Sequence, residues 1–133
     1  MINQYLCVIG PPGVGKTIGA RTFAYIREEI LNIKYENPFY IHTYNQFTRR
    51  SDCYGVSSMQ NGKIIFRKGT LTKSMEQGNV FIGDEFNILS EDCMKAITPY
   101  LELKINKNII IPGIENEIKI KPNFFFILCQ NTR

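Results

Sequence analysis

A glycine-rich segment near the amino terminus has the composition and spacing of a phosphate-binding loop. Residues Gly10 to Thr17 read Gly-Pro-Pro-Gly-Val-Gly-Lys-Thr and satisfy every fixed position of the pattern Gly-x-x-x-x-Gly-Lys-Ser/Thr. Glycines let successive backbone N–H groups turn towards phosphate oxygens, and the following helix adds its positive dipole end. In such a loop, Lys16 contacts the β- and γ-phosphates and Thr17 holds Mg²⁺. The predicted nucleotide-binding residues are Gly10, Pro11, Pro12, Gly13, Val14, Gly15, Lys16, Thr17 and Ile18.

A second candidate site lies where the apolar segment Val80 to Ile82 runs into Asp84 and Glu85. A carboxylate at a strand end can hold Mg²⁺ through water, and a second one can polarise an attacking water. Paired carboxylates after a strand are more often a helix cap or a solvated turn, but the complete loop upstream favours the catalytic interpretation. We therefore predict Thr17 and Asp84 as metal residues and Glu85 as a catalytic residue. Gly83 is unexpected, because glycine weakens a strand interior unless something approaches it closely.

A third polar residue, Asn131, stands just past the apolar segment Phe124 to Cys129. Its amide could hydrogen-bond to the γ-phosphate or to the attacking water, although Asn after a strand is also a common turn residue. The predicted catalytic residues are therefore Lys16, Glu85 and Asn131. His42 also lies in a predicted strand, where a lone histidine is more often a packed residue than a catalyst.

The hydrophobic pattern predicts strands that alternate with helices. Strands are predicted at Tyr5–Ile9, Phe39–Thr43, Lys63–Phe66, Val80–Ile82 and Phe124–Cys129, with a hairpin from Ile109–Ile111 and Glu117–Lys121. Helices are predicted at Thr17–Leu31, at Thr70–Gln77 before Gly78, and after Ser90 as an N-cap, with Pro99 kinking or ending the last. Polar residues 45 to 62 suggest a long surface segment. This alternation indicates a parallel α/β sheet covered on both faces, in which Gly10, Asp84 and Asn131 surround one crevice.

Composition narrows the class of protein. The 133 residues are enough for one domain with a core, and 44% hydrophobic and 21% charged residues are ordinary globular values. The net charge of +4 comes without a polybasic stretch, so it favours neither nucleic acid nor membrane as a partner. Four cysteines without Cys-x-x-Cys spacing do not indicate a zinc site or a disulfide framework. With no secretory signal and no membrane-length apolar run, we expect a soluble intracellular protein of the cytoplasm or nucleus.

Together these motifs resemble the AAA+ ATPases of the midasin, dynein and MoxR-like group, the dynein-related AAA class. The resemblance rests on Gly10 to Thr17, Thr48-x-x-x-Asp52-x-x-Gly55, Gly69-x-Leu71 ahead of Gly78, Asp84-Glu85-Phe86-Asn87, and the strand ending in Asn131. It implies Walker A roles for Lys16 and Thr17, Walker B roles for Asp84 and Glu85, and a sensor 1 role for Asn131. It also implies ATP and Mg²⁺ as ligands. The implied fold is an α/β P-loop NTPase three-layer sandwich with a mostly parallel central sheet and inserted β-hairpins near residues 53 to 68 and 104 to 121.

The sequence also departs from this family. Cys53 stands where Leu is usual, Gly83 where a bulky apolar residue is common, and Thr132 where Pro follows the sensor Asn. The chain stops before the family's fifth strand, arginine finger and C-terminal lid, and Arg133 is too close to the sensor strand to be the finger. We therefore expect residues 1–133 to be a partial AAA+ core that binds adenine nucleotide weakly, stays largely monomeric and shows almost no turnover by itself.

The leading functional prediction is an AAA+ module that binds and hydrolyses ATP and remodels a protein or ribonucleoprotein assembly within a larger ring of such modules. The alternative is a non-catalytic nucleotide-binding or interaction module in a larger AAA+ protein. Glu85 and Asn131 favour the first, whereas Gly83 and the missing lid favour the second. A GTPase is less favoured because Asn106 to Ile109 lacks the Asp of the guanine-binding motif. A P-loop kinase is less favoured because the Asp-Glu pair suits water activation. The protein substrate is not identified by the sequence.

Overall fold

Strands and helices alternate along most of the chain, as the hydrophobic pattern predicts. The computed structural model describes residues 5–95, 108–109 and 118–131. The strands are β1 (Tyr5–Gly10), β2 (Phe39–Thr43), β3 (Gly55–Gln60), β4 (Lys63–Lys68), β5 (Val80–Asp84), β6 (Asn108–Ile109), β7 (Ile118–Lys119) and β8 (Phe125–Asn131). The helices are α1 (Lys16–Leu31), α2 (Arg50–Tyr54) and α3 (Thr70–Gln77), followed by a 3-10 turn at Phe86–Ile88 and helical residues 91–95.

The central sheet contains four parallel strands in the order β1-β8-β5-β2. β8 and β5 are apolar on both faces and are the most buried, with Phe81 and Ile82 of β5 fully buried. Such strands are stable only when both faces of the sheet are covered. Because all four strands run in one direction, their carboxyl ends meet at one edge of the sheet. The predicted parallel α/β sheet is confirmed.

One layer of helices covers each face of this sheet. On one face, Ala20 and Ala24 of α1 pack against a cluster that includes Ile82 and Ile127. Their small side chains let the α1 backbone approach the strands closely. On the other face, α2, α3 and residues 91–95 enclose a larger core that includes Tyr44, Cys53, Leu71, Met75, Phe81, Phe86, Cys93, Phe126 and Leu128. These layers form the predicted three-layer sandwich.

A β-hairpin of β3 and β4 is inserted between α2 and α3. Its strands pair antiparallel and are joined by Asn61 and Gly62, whose positive φ values of 53° and 76° suit a two-residue hairpin turn. This hairpin confirms the insertion near residues 53 to 68 implied by the family resemblance. The hydrophobic pattern alone predicted neither β3 nor α2. The residues of β3 lack the alternation of apolar and polar side chains that marks a strand.

Several helix boundaries agree with the sequence. α3 has the predicted bounds, and Gly78 caps it with a φ of 74° and an N–H group that donates to the Ser74 carbonyl over 2.8 Å. The Ser90 hydroxyl oxygen accepts the N–H of Cys93, as expected of an N-cap. Within the second predicted hairpin, β6 and β7 pair antiparallel, and β7 ends at Lys119, before the predicted end at Lys121. Residues 110–117 and Pro99 lie outside the described residues. None of the described helices is long and apolar enough to cross a membrane.

Candidate nucleotide-binding site

The glycine-rich loop connects the end of β1 to the first turn of α1. Gly13 and Gly15 have φ values of 83° and 84°, in the left-handed region that favours glycine. A Cβ atom at either position would have nothing within 4 Å, so the backbone conformation and not crowding requires glycine there. Gly10 is buried at the end of β1, whereas residues 11 to 15 are exposed. The loop is therefore open to solvent at the carboxyl edge of the sheet.

The Lys16 ammonium group lies across the start of this loop. Its Nζ donates to the carbonyl oxygen of Gly10 over 2.9 Å and to that of Pro11 over 2.8 Å. Both acceptors are neutral. A charged phosphate oxygen would make a stronger hydrogen bond than either carbonyl, so the ammonium can exchange these acceptors for an anionic ligand.

Thr17 and Asp84 meet although they are 67 residues apart in the sequence. The Thr17 hydroxyl donates to Oδ2 of Asp84 over 3.2 Å. Asp84 is the last residue of β5, and its other oxygen, Oδ1, accepts the backbone N–H of Glu85 over 3.0 Å. The carboxylate therefore faces the first turn of α1. A hydroxyl and a carboxylate in contact are hard oxygen donors of the kind that Mg²⁺ prefers.

Glu85 adopts an uncommon backbone conformation between β5 and the 3-10 turn. Its φ of 55° and ψ of 40° lie in the left-handed region, which residues other than glycine rarely occupy. Its carbonyl oxygen accepts the N–H of Ile88 over 3.1 Å, so both sides of its backbone are held. Outliers of this kind cluster at functional sites, where the surrounding structure enforces them.

Asn131 is the last residue of β8, which corrects the predicted position of this strand. The strand begins one residue later than predicted and ends two residues later, so Asn131 lies within it. The cause is the backbone ladder with β1, in which Asn131 pairs with Gly10 and Gln130 with Ile9 despite the polar side chains. Because β8 lies between β1 and β5, Asn131 stands between the loop and the Asp84 strand.

The remaining residues predicted to bind nucleotide lie in the loop or directly after it. Pro11, Pro12 and Val14 are exposed within it, and Ile18 is 70% exposed on the first turn of α1. His42 does not join this group, because its ring packs 4.9 Å from the ring of Tyr44. Burial lowers the pKa of His42, and the charge of Asp52 opposes this effect. His42 is thus a packed residue at this position.

A buried thiol lies close to the charged residues of the site. Burial raises the pKa of Cys129, the negative charge of Asp84 raises it further, and the positive charge of Lys16 lowers it. Cys129 is fully buried on β8 and has no disulfide partner. The thiol is therefore neutral near pH 7 and adds no charge beneath the loop.

The Thr/Asp/Gly segment that contributes to the family resemblance shapes the backbone instead of joining the site. The Thr48 hydroxyl oxygen accepts the N–H of Asn45 over 2.9 Å, and the Asp52 carboxylate accepts the N–H of Arg49 over 2.7 Å. A Cβ atom on Gly55 would lie 2.4 Å from a backbone oxygen of β4. These residues fix the turn after β2, the start of α2 and the base of the β3-β4 hairpin.

Comparisons with known proteins agree with this arrangement. The family described as "AAA domain (dynein-related subfamily)" matches residues 5–133. Midasin from Giardia intestinalis is 29% identical over 70 residues, which cover 53% of this chain and 1% of midasin. A candidate ATPase from Cytophaga hutchinsonii has a similar fold, with a TM-score of 0.64 and 16% identity over 97% of this chain and 34% of that chain. The chain thus spans a small part of midasin and about a third of that ATPase. It belongs to the dynein-related subfamily of AAA domains.

Proposed function

We propose that this chain binds ATP with Mg²⁺ at the glycine-rich loop and that Asp84 and Glu85 support hydrolysis of the bound ATP. The observation that carries this proposal is the 3.2 Å contact between the Thr17 hydroxyl and the Asp84 carboxylate. This contact joins the end of the glycine-rich loop to the acidic end of β5. Phosphoryl-transfer sites of this class hold Mg²⁺ through such a pair of residues. The family membership supports the same assignment.

The residues present fit both ligands. Thr17 and Asp84 offer hydroxyl and carboxylate oxygens, which suit Mg²⁺ better than a softer metal. Gly13 and Gly15 hold the loop backbone in a left-handed conformation without a side chain in the way, as a phosphate-binding loop needs. Mg²⁺ bound at Thr17 and Asp84 would reduce the negative charge on the phosphate oxygens.

Each polar residue of the site has a role in this proposal. Lys16 leaves the carbonyls of Gly10 and Pro11 and binds the β- and γ-phosphates. The loop N–H groups and the amino terminus of α1 hold the phosphates in place. Glu85 accepts a proton from the attacking water, and the Asn131 amide donates a hydrogen bond to that water or to the γ-phosphate.

Turnover is proposed to need a neighbouring module. The transition state of phosphoryl transfer is stabilised by positive charge beyond the loop lysine, often from an arginine supplied in trans. Two arginines of α1 are engaged elsewhere, because Arg21 lies over the ring of Phe39 and Arg27 over that of Phe125. We therefore place the chain in a larger assembly of AAA+ modules whose ATP cycle remodels a protein or ribonucleoprotein. This wider role rests on the family alone.

Replacing Thr17 by Val tests the metal site directly. Thr17→Val removes the hydroxyl that contacts Asp84 while nearly preserving the side-chain shape. We expect the gain in ATP affinity produced by Mg²⁺ to fall by about tenfold or more, and affinity in EDTA to change little. Calorimetric titration of ATP with Mg²⁺ and with EDTA measures both values.

The matched control for this experiment is a second threonine further along α1. Thr22 is exposed, and its hydroxyl donates to the carbonyl oxygen of Ile18 in its own helix. Thr22→Val makes the same chemical change and should leave both affinities at the parental values. Equal weakening by Thr17→Val with and without Mg²⁺ would remove Thr17 from the metal site.

A further inference from the structure

Two departures from the family pattern, Gly83 and Cys53, lie against one buried side chain. That side chain is Tyr44, which follows β2 and is fully buried. A Cβ atom on Gly83 would lie 2.9 Å from Cε2 of Tyr44, closer than real Cβ contacts come, and 3.0 Å from Cδ2 of Leu128, which is tighter than most of them. The Cys53 thiol donates to the Tyr44 hydroxyl oxygen over 3.8 Å. Both small residues therefore border the space that the Tyr44 ring occupies.

Tyr44 also contacts the backbone of Asp84 and the side chain of the residue that follows the acidic pair. Its N–H group donates to the carbonyl oxygen of Asp84 over 2.9 Å. Its ring packs edge-on against Phe86, with the ring centres 5.7 Å apart. Together with the approach to Gly83, these contacts reach the residues immediately before, within and after the segment that carries both carboxylates.

The contact between Tyr44 and Cys53 is one between neutral groups. Burial raises the pKa of Tyr44 well above its usual value, and the neighbouring thiol of Cys53 adds to this effect. Burial likewise raises the pKa of Cys53, to about 11. Both groups are therefore protonated near pH 7, and neither brings a buried charge to the core beneath the acidic strand.

We propose that Tyr44 is a positioning residue that fixes the Asp84–Glu85 turn, and that Gly83 and Cys53 are small because the Tyr44 ring fills the space beside them. This inference rests on the proposed function, because it explains how the two carboxylates are aimed. Glu85 occupies a left-handed conformation that needs support from its surroundings. Any shift of the Gly83 backbone is passed on directly to Asp84, whose carboxylate must remain within reach of the Thr17 hydroxyl.

A cycle of substitutions at positions 44 and 83 tests this proposal. Gly83→Ala introduces a Cβ atom into the Tyr44 ring, and Tyr44→Leu removes the ring that supports the turn. Each is expected to reduce the Mg²⁺-dependent gain in ATP affinity by about tenfold, with little change in EDTA. The double variant should recover most of that gain, because the new Cβ atom enters the vacated space. Tyr44→Phe keeps the ring and should retain the parental gain.

A variant on the opposite face of β5 distinguishes positioning from stability. Ile82 is fully buried in the cluster on the α1 face, so Ile82→Val leaves a small cavity there without altering the Tyr44 contacts. We expect Ile82→Val to lower the urea midpoint of unfolding and to leave the Mg²⁺-dependent gain unchanged. If Tyr44 acted only through stability, Ile82→Val would reduce the Mg²⁺-dependent gain in the same way as an equally destabilising change at position 44.

The possible results separate this inference from the proposed function. If the parent gains affinity with Mg²⁺ and Gly83→Ala and Tyr44→Leu keep that gain, the positioning role is wrong and the proposed function stands. If the double variant does not recover the Mg²⁺-dependent gain, the proposal that Gly83 is small because of the Tyr44 ring is wrong. If the parent shows no Mg²⁺-dependent gain, the proposed function and the positioning role are both overturned.

Discussion

Glu85→Gln is expected to retain ATP binding and to lose turnover. The amide has the shape of the carboxylate but cannot accept a proton from water, and general base catalysis is worth about 10²–10⁴-fold in rate. The contact between Thr17 and Asp84 is unaffected by this change, so Mg²⁺-dependent binding should remain. The variant should therefore trap nucleotide. Phosphate release in the presence of the neighbouring modules proposed above, measured beside ATP affinity, gives both quantities.

Glu29→Gln is the matched control, because Glu29 is exposed on α1 and the substitution removes the same charge. It should turn over ATP at the parental rate. A Glu85→Gln variant that hydrolyses ATP at that rate would remove Glu85 from the mechanism and reduce the acidic pair to a solvated turn. A parent that binds ATP but never hydrolyses it in any assembly would support the alternative of a non-catalytic module.

Lys16→Ala is expected to weaken ATP binding by at least about a hundredfold. Hydrogen bonds to charged groups contribute about 1.5–3 kcal/mol each, and Lys16 is placed to contact more than one phosphate. Among the residues that the structure describes, the ammonium group donates to the carbonyl oxygens of Gly10 and Pro11. Because those carbonyls lie in or beside an exposed loop, we expect the urea midpoint to change little. Calorimetric titration of the variant with ATP measures the loss.

The control for this prediction is Lys73→Ala. Lys73 is exposed on α3, on the opposite side of the sheet from α1, and its removal lowers the net charge by the same amount. ATP affinity should remain parental in that variant. Unchanged affinity in Lys16→Ala would show that the glycine-rich loop is not the nucleotide site.

Local patterns account for the parts of the fold that the sequence predicts well. The bounds of α3 follow from its helical periodicity and from Gly78, whose positive φ ends the helix. The glycine-rich loop and the acidic strand end are each contained in a few consecutive residues. Parallel pairing follows from strands that are apolar on both faces. Such features depend on residues that are close together in the sequence, so the sequence shows them directly.

The strand order and the individual contacts between distant residues could not be predicted, although Gly10, Asp84 and Asn131 were expected around one crevice. The order β1-β8-β5-β2 places Asn131 beside Gly10, and no local pattern carries that information. The contact between Thr17 and Asp84 spans 67 residues. β3 and α2 were missed by the hydrophobic pattern because their few apolar residues show no regular spacing, and only the family resemblance indicated a hairpin there.

Gly83 illustrates a signal that the sequence shows but does not explain. Glycine within a buried strand suggested a close approach by some other group. The structure identifies that group as the ring of Tyr44, which comes from the neighbouring strand segment after β2. The partner of a glycine becomes visible only once the strands are placed side by side.

The central claim is that the glycine-rich loop and the acidic strand end form one ATP site. It is tested most directly by following backbone amide resonances of the chain during titration with ATP and Mg²⁺. We predict that the amides of Gly13, Gly15 and Lys16 shift together with that of Glu85, while those of the hairpin turn at Asn61 and Gly62 stay in place. Shifts at the hairpin with an unchanged loop would contradict this assignment.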